Sequence, residues 1–255
     1  MRILLLTAYF PPDTGSASHL FYELGKKFIT CGHEVKIVTS IPSYFPSGDI
    51  EKYKGKLFLA ENYEGMRTYR VLIPRYPRKF PVFRGLWQFH LALSFLFILI
   101  FLKNFDVILI YSPPLTLGLT GWLVGKLKKV PMILNIQDLF PQSAIDLGVL
   151  QNKALIKFFN WLEKFIYTRM DFITVHSEGN KKHVIGKGVN DAKVNVVPNW
   201  VDTDFINPKK SKGIEFKQEF KLNSNFIVSF AGVIGYSQDM DIILDAAKEL
   251  ENYQD

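Results

Sequence analysis

The feature that most constrains the fold is an alternation, along the first 200 residues, of short apolar runs with longer stretches of helical periodicity. The short runs are rich in β-branched residues, which is typical of strands buried on both faces, and strands that alternate with helices indicate an α/β fold with a mainly parallel sheet. The predicted strands are Arg2–Thr7, Glu34–Thr39, Arg67–Leu72, Asp106–Tyr111, Met132–Ile136, Asp171–Val175 and Lys193–Val197. The predicted helices are Ser16–Thr30, Pro81–Leu102, Leu115–Lys128, Lys153–Arg169 and Glu178–Lys187.

A change of composition near residue 200 predicts where the first domain ends. We assign residues 1–200 to a Rossmann-like domain with helices on both faces of the sheet, and residues 201–224 to a linker. Residues 225–255 then open a second Rossmann-like domain with a strand at Phe226–Gly232 and a helix at Asp239–Asn252. One strand and one helix cannot bury a core, so we expect this second domain to be truncated.

Positive charge is concentrated in one segment. Between Gly65 and Phe105 the chain has seven basic residues, ten aromatic residues and no acidic residue. Removing these seven from the 31 basic residues leaves 24, which equals the 24 acidic residues, so this segment carries the whole net charge of +7. Basic and aromatic residues within an apolar stretch favour an anionic membrane surface over nucleic acid as the partner. The residues predicted to dock on the membrane are Arg75, Arg78, Lys79, Arg84 and Trp87.

Within that segment, Leu86–Leu102 is apolar enough to be considered as a transmembrane helix. As a helix it would span about 26 Å, slightly less than the ~30 Å hydrocarbon core of a bilayer. The chain enters the predicted strand Asp106–Tyr111 at once, which favours a helix buried in the domain or lying in the membrane interface.

Composition excludes several other classes of protein and site. The single cysteine, Cys31, allows no intramolecular disulfide and no zinc site of the Cys₄ or Cys₂His₂ type, and it indicates a reducing compartment. The loop after the first strand has one glycine rather than a G-x-G-x-x-G fingerprint, which disfavours an NAD-type oxidoreductase or epimerase.

The loops that follow the strands are where ligands bind in parallel sheets. The first loop passes through two prolines to Gly15 and Ser16 at the start of a helix. Backbone N–H groups and the positive end of the helix dipole would favour a phosphate there. The alternative is that Ser16 or Ser18 simply caps the helix.

A second loop places Gln137 and Asp138 directly after a predicted buried strand. Polar side chains in such a position are costly unless they are used, which makes both residues candidates for substrate chemistry. The alternative is that Asp138 caps the following helix, with Pro141 in its first turn.

The D-x-D pairs Asp202/Asp204 and Asp239/Asp241 have a spacing that can hold a divalent cation, but the pattern arises easily by chance and we predict no metal site.

The last loop, with Gly232, Gly235 and Gln238, leads from a predicted strand to a helix and again suits an anion.

Taken in order, these loops resemble the family-4 glycosyltransferases of the GT-B fold, in particular the fucosamine-transferase-like subgroup that makes capsule, O-antigen or colanic acid. The resemblance covers essentially the whole chain and is carried by FPPDTGSASHLFYELGKKF, GHEVKIVTS, FDVILIYSPPLTLGL, QDLFPQSAIDLG, VPNWVDTDFI and FAGVIGYSQDMDIILDAA.

The resemblance implies retaining transfer of a sugar from a UDP- or GDP-linked donor to an acceptor, with no metal and no other cofactor. The first domain would bind the acceptor and the second the donor. Gln137 and Asp138 would be the catalytic pair on the acceptor side of the reacting centre. The implied substrate-binding residues are Gly15, Ser16, Asn199, Gly232, Gly235 and Gln238.

The implied acceptor is a polyprenyl-diphosphate-linked sugar, presented at the inner membrane to a cytoplasmic, peripherally bound enzyme. The sequence departs from the family at Gln137, where many members have His, and at Gln238, which stands where a diphosphate-clamping lysine is usual. The E-x₇-E segment of the family would lie beyond Asp255, so this chain is expected to be inactive by itself. The alternative function is a non-catalytic membrane-docking module on the same scaffold.

Overall fold

The computed structural model describes residues 1–43, 46–48, 50–74, 81–208, 212–222, 227–232 and 234–250, with only the backbone at 81–84 and 236. The chain divides into two compact units, Met1–Asn199 and Trp200–Asp255. Their assignment to acceptor and donor sides stays a prediction.

The first unit is an eight-stranded sheet with helices on both faces. Its strands are β1 (Arg2–Leu6), β2 (Glu34–Ser40), β3 (Phe58–Tyr63), β4 (Met66–Val71), β5 (Val107–Ser112), β6 (Met132–Ile136), β7 (Phe172–Val175) and β8 (Val194–Val196). Its helices are α1 (Ser16–Thr30), α2 (Pro81–Phe101), α3 (Thr116–Lys128), α4 (Gln142–Asp146), α5 (Lys153–Tyr167) and α6 (Glu178–Gly186). The predicted α/β fold with a mainly parallel sheet is confirmed.

The strands lie in the order β3-β4-β2-β1-β5-β6-β7-β8. Every neighbouring pair is parallel except β3 and β4, which form an antiparallel hairpin at the edge. The chain builds the sheet outward from β1 in one direction and then, from β5 onward, in the other. The topological switch point, where ligands bind in open α/β sheets, therefore lies between β1 and β5.

Two apolar clusters form the core, one on each face of the sheet. Because side chains alternate along a strand, Leu4 and Leu6 of β1 belong to one cluster, whereas Ile3 and Leu5 belong to the other. The first cluster is covered by α2, α3 and α5, and the second contains Phe21 of α1.

Helix α3 lies unusually close to the sheet because glycines face the strands. A Cβ atom on Gly121 would overlap the side chain of Ile110 in β5, and one on Gly125 would overlap Met132 in β6. These two positions bring the helix backbone near β5 and β6, next to the switch point.

The structure of α2 tests in part whether the apolar stretch Leu86–Leu102 is a transmembrane helix or is buried in the domain. Among the described residues, no helix is long and apolar enough to cross a membrane. Instead, Leu91, Phe95 and Leu99 are fully buried against the sheet, at the i, i+4, i+8 spacing of one helix face.

Several elements differ from the sequence-based expectation. Strand β3 and the short helix α4 were not predicted, and neither was α7 (Gly213–Glu219), which lies in the expected linker. The predicted helix after Asp239 is present as α8 (Met240–Leu250). The predicted strand Phe226–Gly232 is wrong over its described part, since residues 227–232 have no β-ladder partner and no strand is found in the described part of the second unit.

Candidate functional site

The loops that follow β1, β5 and β6 emerge at one edge of the sheet. These three strands are neighbours and parallel, so their carboxyl ends point the same way. At about 4.8 Å per strand, the loops after β1 and β6 leave the sheet about 10 Å apart, on either side of the loop after β5. The structure therefore places the Gly15 loop and the Gln137 loop at one edge of the sheet, on either side of the switch point, and we call the space between them the crevice.

The loop after β1 ends in an uncapped helix start. Gly15 occupies the N-cap of α1 with φ 128°, a conformation that favours glycine, and no side chain caps the first turn. The alternative in which Ser16 or Ser18 caps the helix is therefore wrong. Ser16 is exposed as the first helical residue, whereas Ser18 is buried. The N–H groups of this first turn are available to an anionic ligand.

Bonds from neighbouring segments hold the loop before Gly15 in place. The carboxylate of Asp13 accepts a hydrogen bond of 2.8 Å from the backbone N–H of Ser43, and the carbonyl of Pro12 accepts one of 2.9 Å from Ser47. The guanidinium of Arg70 donates to the carbonyl oxygen of Pro11. The loop is thus tied both to the segment after β2 and to β4.

Arg70 is a functional residue that the sequence reasoning missed. It was counted with the basic segment, yet its side chain is fully buried and its Nε lies 2.6 Å from the Glu61 carboxylate. Met66, Thr68 and Arg70 are the buried positions of β4, in strict alternation. The period of two residues in this strand is the signal that could have placed Arg70 inside the protein.

Gln137 is fixed by a chain of bonds across three strands. Its backbone N–H donates to the carbonyl of Ser112 at 2.8 Å, and its side-chain amide donates to Asn135 at 2.9 Å. Asn135 in turn donates to the hydroxyl of Thr174 in β7 at 2.9 Å. The side chain is half-buried and positioned at the crevice.

Asp138 lies exposed beside Gln137 and accepts a hydrogen bond of 3.3 Å from the Ser143 hydroxyl. The N-cap of α4 is Pro141, with no side-chain cap, so the interpretation of Asp138 as a helix cap is wrong.

Asp138 also acts electrostatically on the sheet beneath it. Burial, and secondarily the charge of Asp138, raise the pKa of Tyr111 in β5 to about 12. The Tyr111 ring contacts Phe21 of α1 edge-on, with ring centroids 5.0 Å apart. The carboxylate of Asp138 thus lies near β5, which borders the switch point, and α1 packs against the same strand.

Asn199 is exposed at the end of the first unit. In the second unit, Gly232 and Gly235 are exposed and the backbone N–H of Gln238 donates to the carbonyl of Gly235 at 3.1 Å. The structure thus brings Gly235 and Gln238 together.

Asp202 accepts hydrogen bonds from the backbone N–H groups of Asp204 and Phe205, so this D-x-D pair forms a turn. Within the described ranges, no group of three or more His, Cys, Asp or Glu residues is arranged to hold a metal ion.

The predicted membrane-docking residues are only partly described. Arg75, Arg78 and Lys79 lie outside the described residues, as does the side chain of Arg84. Trp87 is half-buried and stacks on Tyr9 of the loop after β1, with centroids 6.1 Å apart.

The sheet order, the uncapped start of α1 and the polar loop after β6 define a Rossmann-like α/β protein with candidate ligand-binding loops on either side of its switch point. The family model for the glycosyl transferase 4-like domain matches residues 15–200, which include Gly15 at the start of α1 and the whole loop after β6. The chain therefore belongs to the glycosyl transferase 4-like family.

Two kinds of relative are similar to this chain. The putative colanic acid biosynthesis glycosyl transferase WcaI of Escherichia coli (strain K12) is 23% identical over 263 residues, which cover 99% of this chain and 63% of that protein. The structure of Anabaena Alr3699/HepE in complex with UDP and glucose aligns with 98% of this chain and 58% of its own, with a TM-score of 0.62 and 13% identity. Sucrose-phosphate synthase from Thermosynechococcus elongatus aligns with 96% of this chain and 73% of its own, with a TM-score of 0.56 and 13% identity. These structures support the GT-B type of fold, and the chain spans about three fifths of the length of the first two relatives.

Proposed function

We propose that this chain forms the acceptor-side part of a retaining glycosyltransferase of bacterial surface-polysaccharide synthesis. The enzyme would transfer a sugar from a UDP- or GDP-linked donor to a polyprenyl-diphosphate-linked acceptor. The observation that carries this proposal is the family match over residues 15–200, because it includes Gly15 at the start of α1 together with Gln137 and Asp138. The name of the Escherichia coli relative, which refers to colanic acid biosynthesis, supports the polysaccharide product.

The crevice offers the groups that such a transfer needs. In the reaction, the bond between the anomeric carbon and the diphosphate oxygen breaks, a bond to the acceptor hydroxyl oxygen forms on the same face of the sugar, and the hydroxyl proton passes to the departing diphosphate. The first-turn N–H groups of α1, beside Gly15 and Ser16, would stabilise negative charge on the leaving diphosphate. Asp138 would accept a hydrogen bond from the acceptor hydroxyl, and Gln137, an amide without an acidic or basic group, would orient it.

We also propose that the second unit contacts the donor and that Gly232, Gly235 and Gln238 approach its diphosphate. Asn199 would contribute from the end of the first unit. No metal or other cofactor is assigned a role, because the helix start supplies electrostatic stabilisation without one.

The proposed location is the cytoplasmic face of the inner membrane. The support is the charge distribution, since a 41-residue segment has no acidic residue and, apart from the buried Arg70, six basic residues that would be attracted to anionic lipid. Arg75, Arg78, Lys79, Arg84 and Trp87 are the proposed contacts.

The decisive experiment measures transfer from a panel of radiolabelled UDP- and GDP-sugars to a polyprenyl-diphosphate-linked sugar in membranes, with and without EDTA. It uses this chain alone and this chain joined to the remaining carboxy-terminal part of the Escherichia coli relative. Metal-independent transfer by the joined form alone supports a site divided between two domains. A folded joined form that transfers none of the sugars contradicts the enzyme proposal and favours the membrane-docking module.

A matched pair of variants tests the site itself. In the joined form, we expect Asp138→Asn to lower transfer about a hundredfold, because removing one preorganised polar group that acts on the reacting centre typically costs roughly 10²–10³ in rate. Asp146→Asn, which changes an exposed carboxylate in α4, is the control and should leave the rate unchanged. Equal rates for the two variants would remove Asp138 from the mechanism.

A further inference from the structure

An apolar groove runs along α2 on the side away from the core. It has a volume of about 930 Å³ and lies between α2 and the edge hairpin formed by β3 and β4. The helix contributes a stripe of side chains from Leu86 to Leu102, and the hairpin contributes Phe58, Tyr69 and Val71. The sixteen helical residues from Leu86 to Phe101 make this groove about 24 Å long at ~1.5 Å per residue.

The groove presents large apolar side chains to solvent. Leu93, Phe97 and Phe101 are 66%, 67% and 68% exposed, on a helix whose opposite stripe is fully buried. The polar contributors to the lining are Tyr69, His90 and Ser94, and no described lining residue is acidic. Exposed apolar surface of this extent marks a binding site, and a volume near the upper end of the ~300–1,000 Å³ range fits a long ligand.

One end of the groove adjoins the candidate site. Strand β4 and the start of α2 lie at the carboxyl edge of the sheet, where Leu86 and Val71 line the groove. The next residue, Trp87, stacks on Tyr9 in the loop that leads to Gly15. From that end the groove follows α2 away from the crevice, toward Lys103 and the amino end of β5.

We propose that this groove binds the isoprenoid chain of the lipid-linked acceptor, while its diphosphate-sugar end lies at the crevice. The inference rests on the proposed function, which supplies the polyprenyl acceptor. Three features select this occupant: the length of the groove, its continuity with the crevice, and its position in a stretch of the sequence that is rich in aromatic and basic residues and contains no acidic residue. A ligand with a hydrocarbon chain and an anionic head complements all three.

The test uses farnesyl diphosphate with a benzophenone at the end of its chain as a photo-cross-linker, applied to the 255-residue chain. We expect cross-linked peptides from 58–71 and 86–102, and competition by unlabelled farnesyl diphosphate. Cross-links elsewhere in the chain would overturn the assignment. A benzophenone-labelled phosphatidylglycerol in vesicles is the second arm, and equal labelling of the same peptides by this lipid would show that the groove takes bilayer acyl chains instead.

Two exposed leucines provide matched variants. Leu93 lines the groove, whereas Leu127 in α3 is 60% exposed and does not line it. Leu93→Gln should weaken farnesyl diphosphate binding about tenfold, because burying a leucine contributes about the free energy of a tenfold change in affinity. Leu127→Gln should leave binding unchanged, and both variants should keep the parental melting temperature. Equal loss in the two variants would point to general contact with the bilayer and contradict a groove.

The binding readout is independent of turnover. Transfer to the lipid-linked acceptor without labelling of the groove would refute only the groove. Labelling without transfer by any folded form would refute the proposed enzyme, and the groove would then be a lipid site of a docking module.

Discussion

The buried guanidinium of Arg70 offers a way to perturb the loop before Gly15 without changing that loop. Its Nε lies 2.6 Å from Glu61, it donates to the carbonyl of Pro11, and it lies over the rings of Tyr53 and Tyr63, 5.1 and 5.8 Å from their centroids. Arg70→Met keeps most of the volume and removes the charge. The variant leaves the Glu61 carboxylate, which is only 14% exposed, without its buried partner.

Removing one partner of a buried ion pair typically costs about 3–5 kcal/mol. Glu61 keeps Lys52 at 2.8 Å and the Tyr53 hydroxyl at 3.0 Å, so we expect the lower end, about 3 kcal/mol. For a unit of this size that cost corresponds to a fall in melting temperature of about 6–12 °C. The control is Lys52→Met, which removes a half-exposed partner of the same carboxylate and should cost less than about 1 kcal/mol.

Urea denaturation at several pH values is the appropriate assay. Burial opposes ionisation of Glu61, but hydrogen bonds from Lys52 and Arg70 outweigh it, so the pKa of Glu61 in the folded protein lies below its ordinary value of 4.5. The stability that the Glu61 carboxylate contributes is therefore present above pH 4.5 and is lost as the pH falls through the lowered pKa. The cost of Arg70→Met should shrink over the same range, and it should also be smaller when Glu61→Gln is already present. An Arg70→Met variant within about 1 kcal/mol of the parent, or a cost independent of pH, would refute this reasoning.

Two further perturbations test the packing and the site. Gly121→Ala should destabilise the protein by about 1–3 kcal/mol in thermal denaturation, because its Cβ would overlap Ile110, whereas Gly85→Ala in α2 meets open space and should be neutral or stabilising. Equal effects of the two substitutions would contradict the close approach of α3 to β5. Asp138→Asn should lower the pKa of Tyr111 from about 12 but leave it raised, because burial is the larger cause and Asp138 the smaller. NMR of ¹³C-tyrosine-labelled protein measures this shift, and an unchanged Tyr111 titration would mean that Asp138 lies farther from β5 than the structure indicates.

The parallel strands could be predicted because each is a continuous apolar run buried on both faces, as β5 and β6 are. Strand β3 could not be predicted in this way, since its sequence FLAENY contains Glu and Asn, which are depleted in strands, and its side chains alternate between exposed and half-buried. It exists because it pairs with β4 through a two-residue turn in which Glu64 and Gly65 both have positive φ, 49° and 87°.

The strand predicted at Phe226–Gly232 is the opposite case, in which a composition typical of strands does not form one in the described residues. Its residues have the composition of a strand, but a strand also needs a neighbour for its backbone hydrogen bonds, and the described part of the second unit supplies none. The polar residues of the crevice could be identified from the sequence because they follow strands that the hydrophobic pattern alone predicts. Arg70 was missed because, although the alternation in β4 indicates an inward position, nothing in the sequence shows that the neighbouring strand β3 supplies the Glu61 carboxylate as its buried partner.

Helix α2 has two apolar stripes on opposite sides. Its hydropathy alone therefore does not show whether the helix only covers the sheet or also binds a ligand. One stripe, with Leu91, Phe95 and Leu99, is fully buried and belongs to the larger core cluster of the unit. The other, with Leu93, Phe97 and Phe101, is just as apolar and remains exposed. A helix that only needed to cover the sheet would have polar residues on its outer stripe. The apolar character of the outer stripe is therefore not required by the fold, and a hydrocarbon ligand is a physical reason for it.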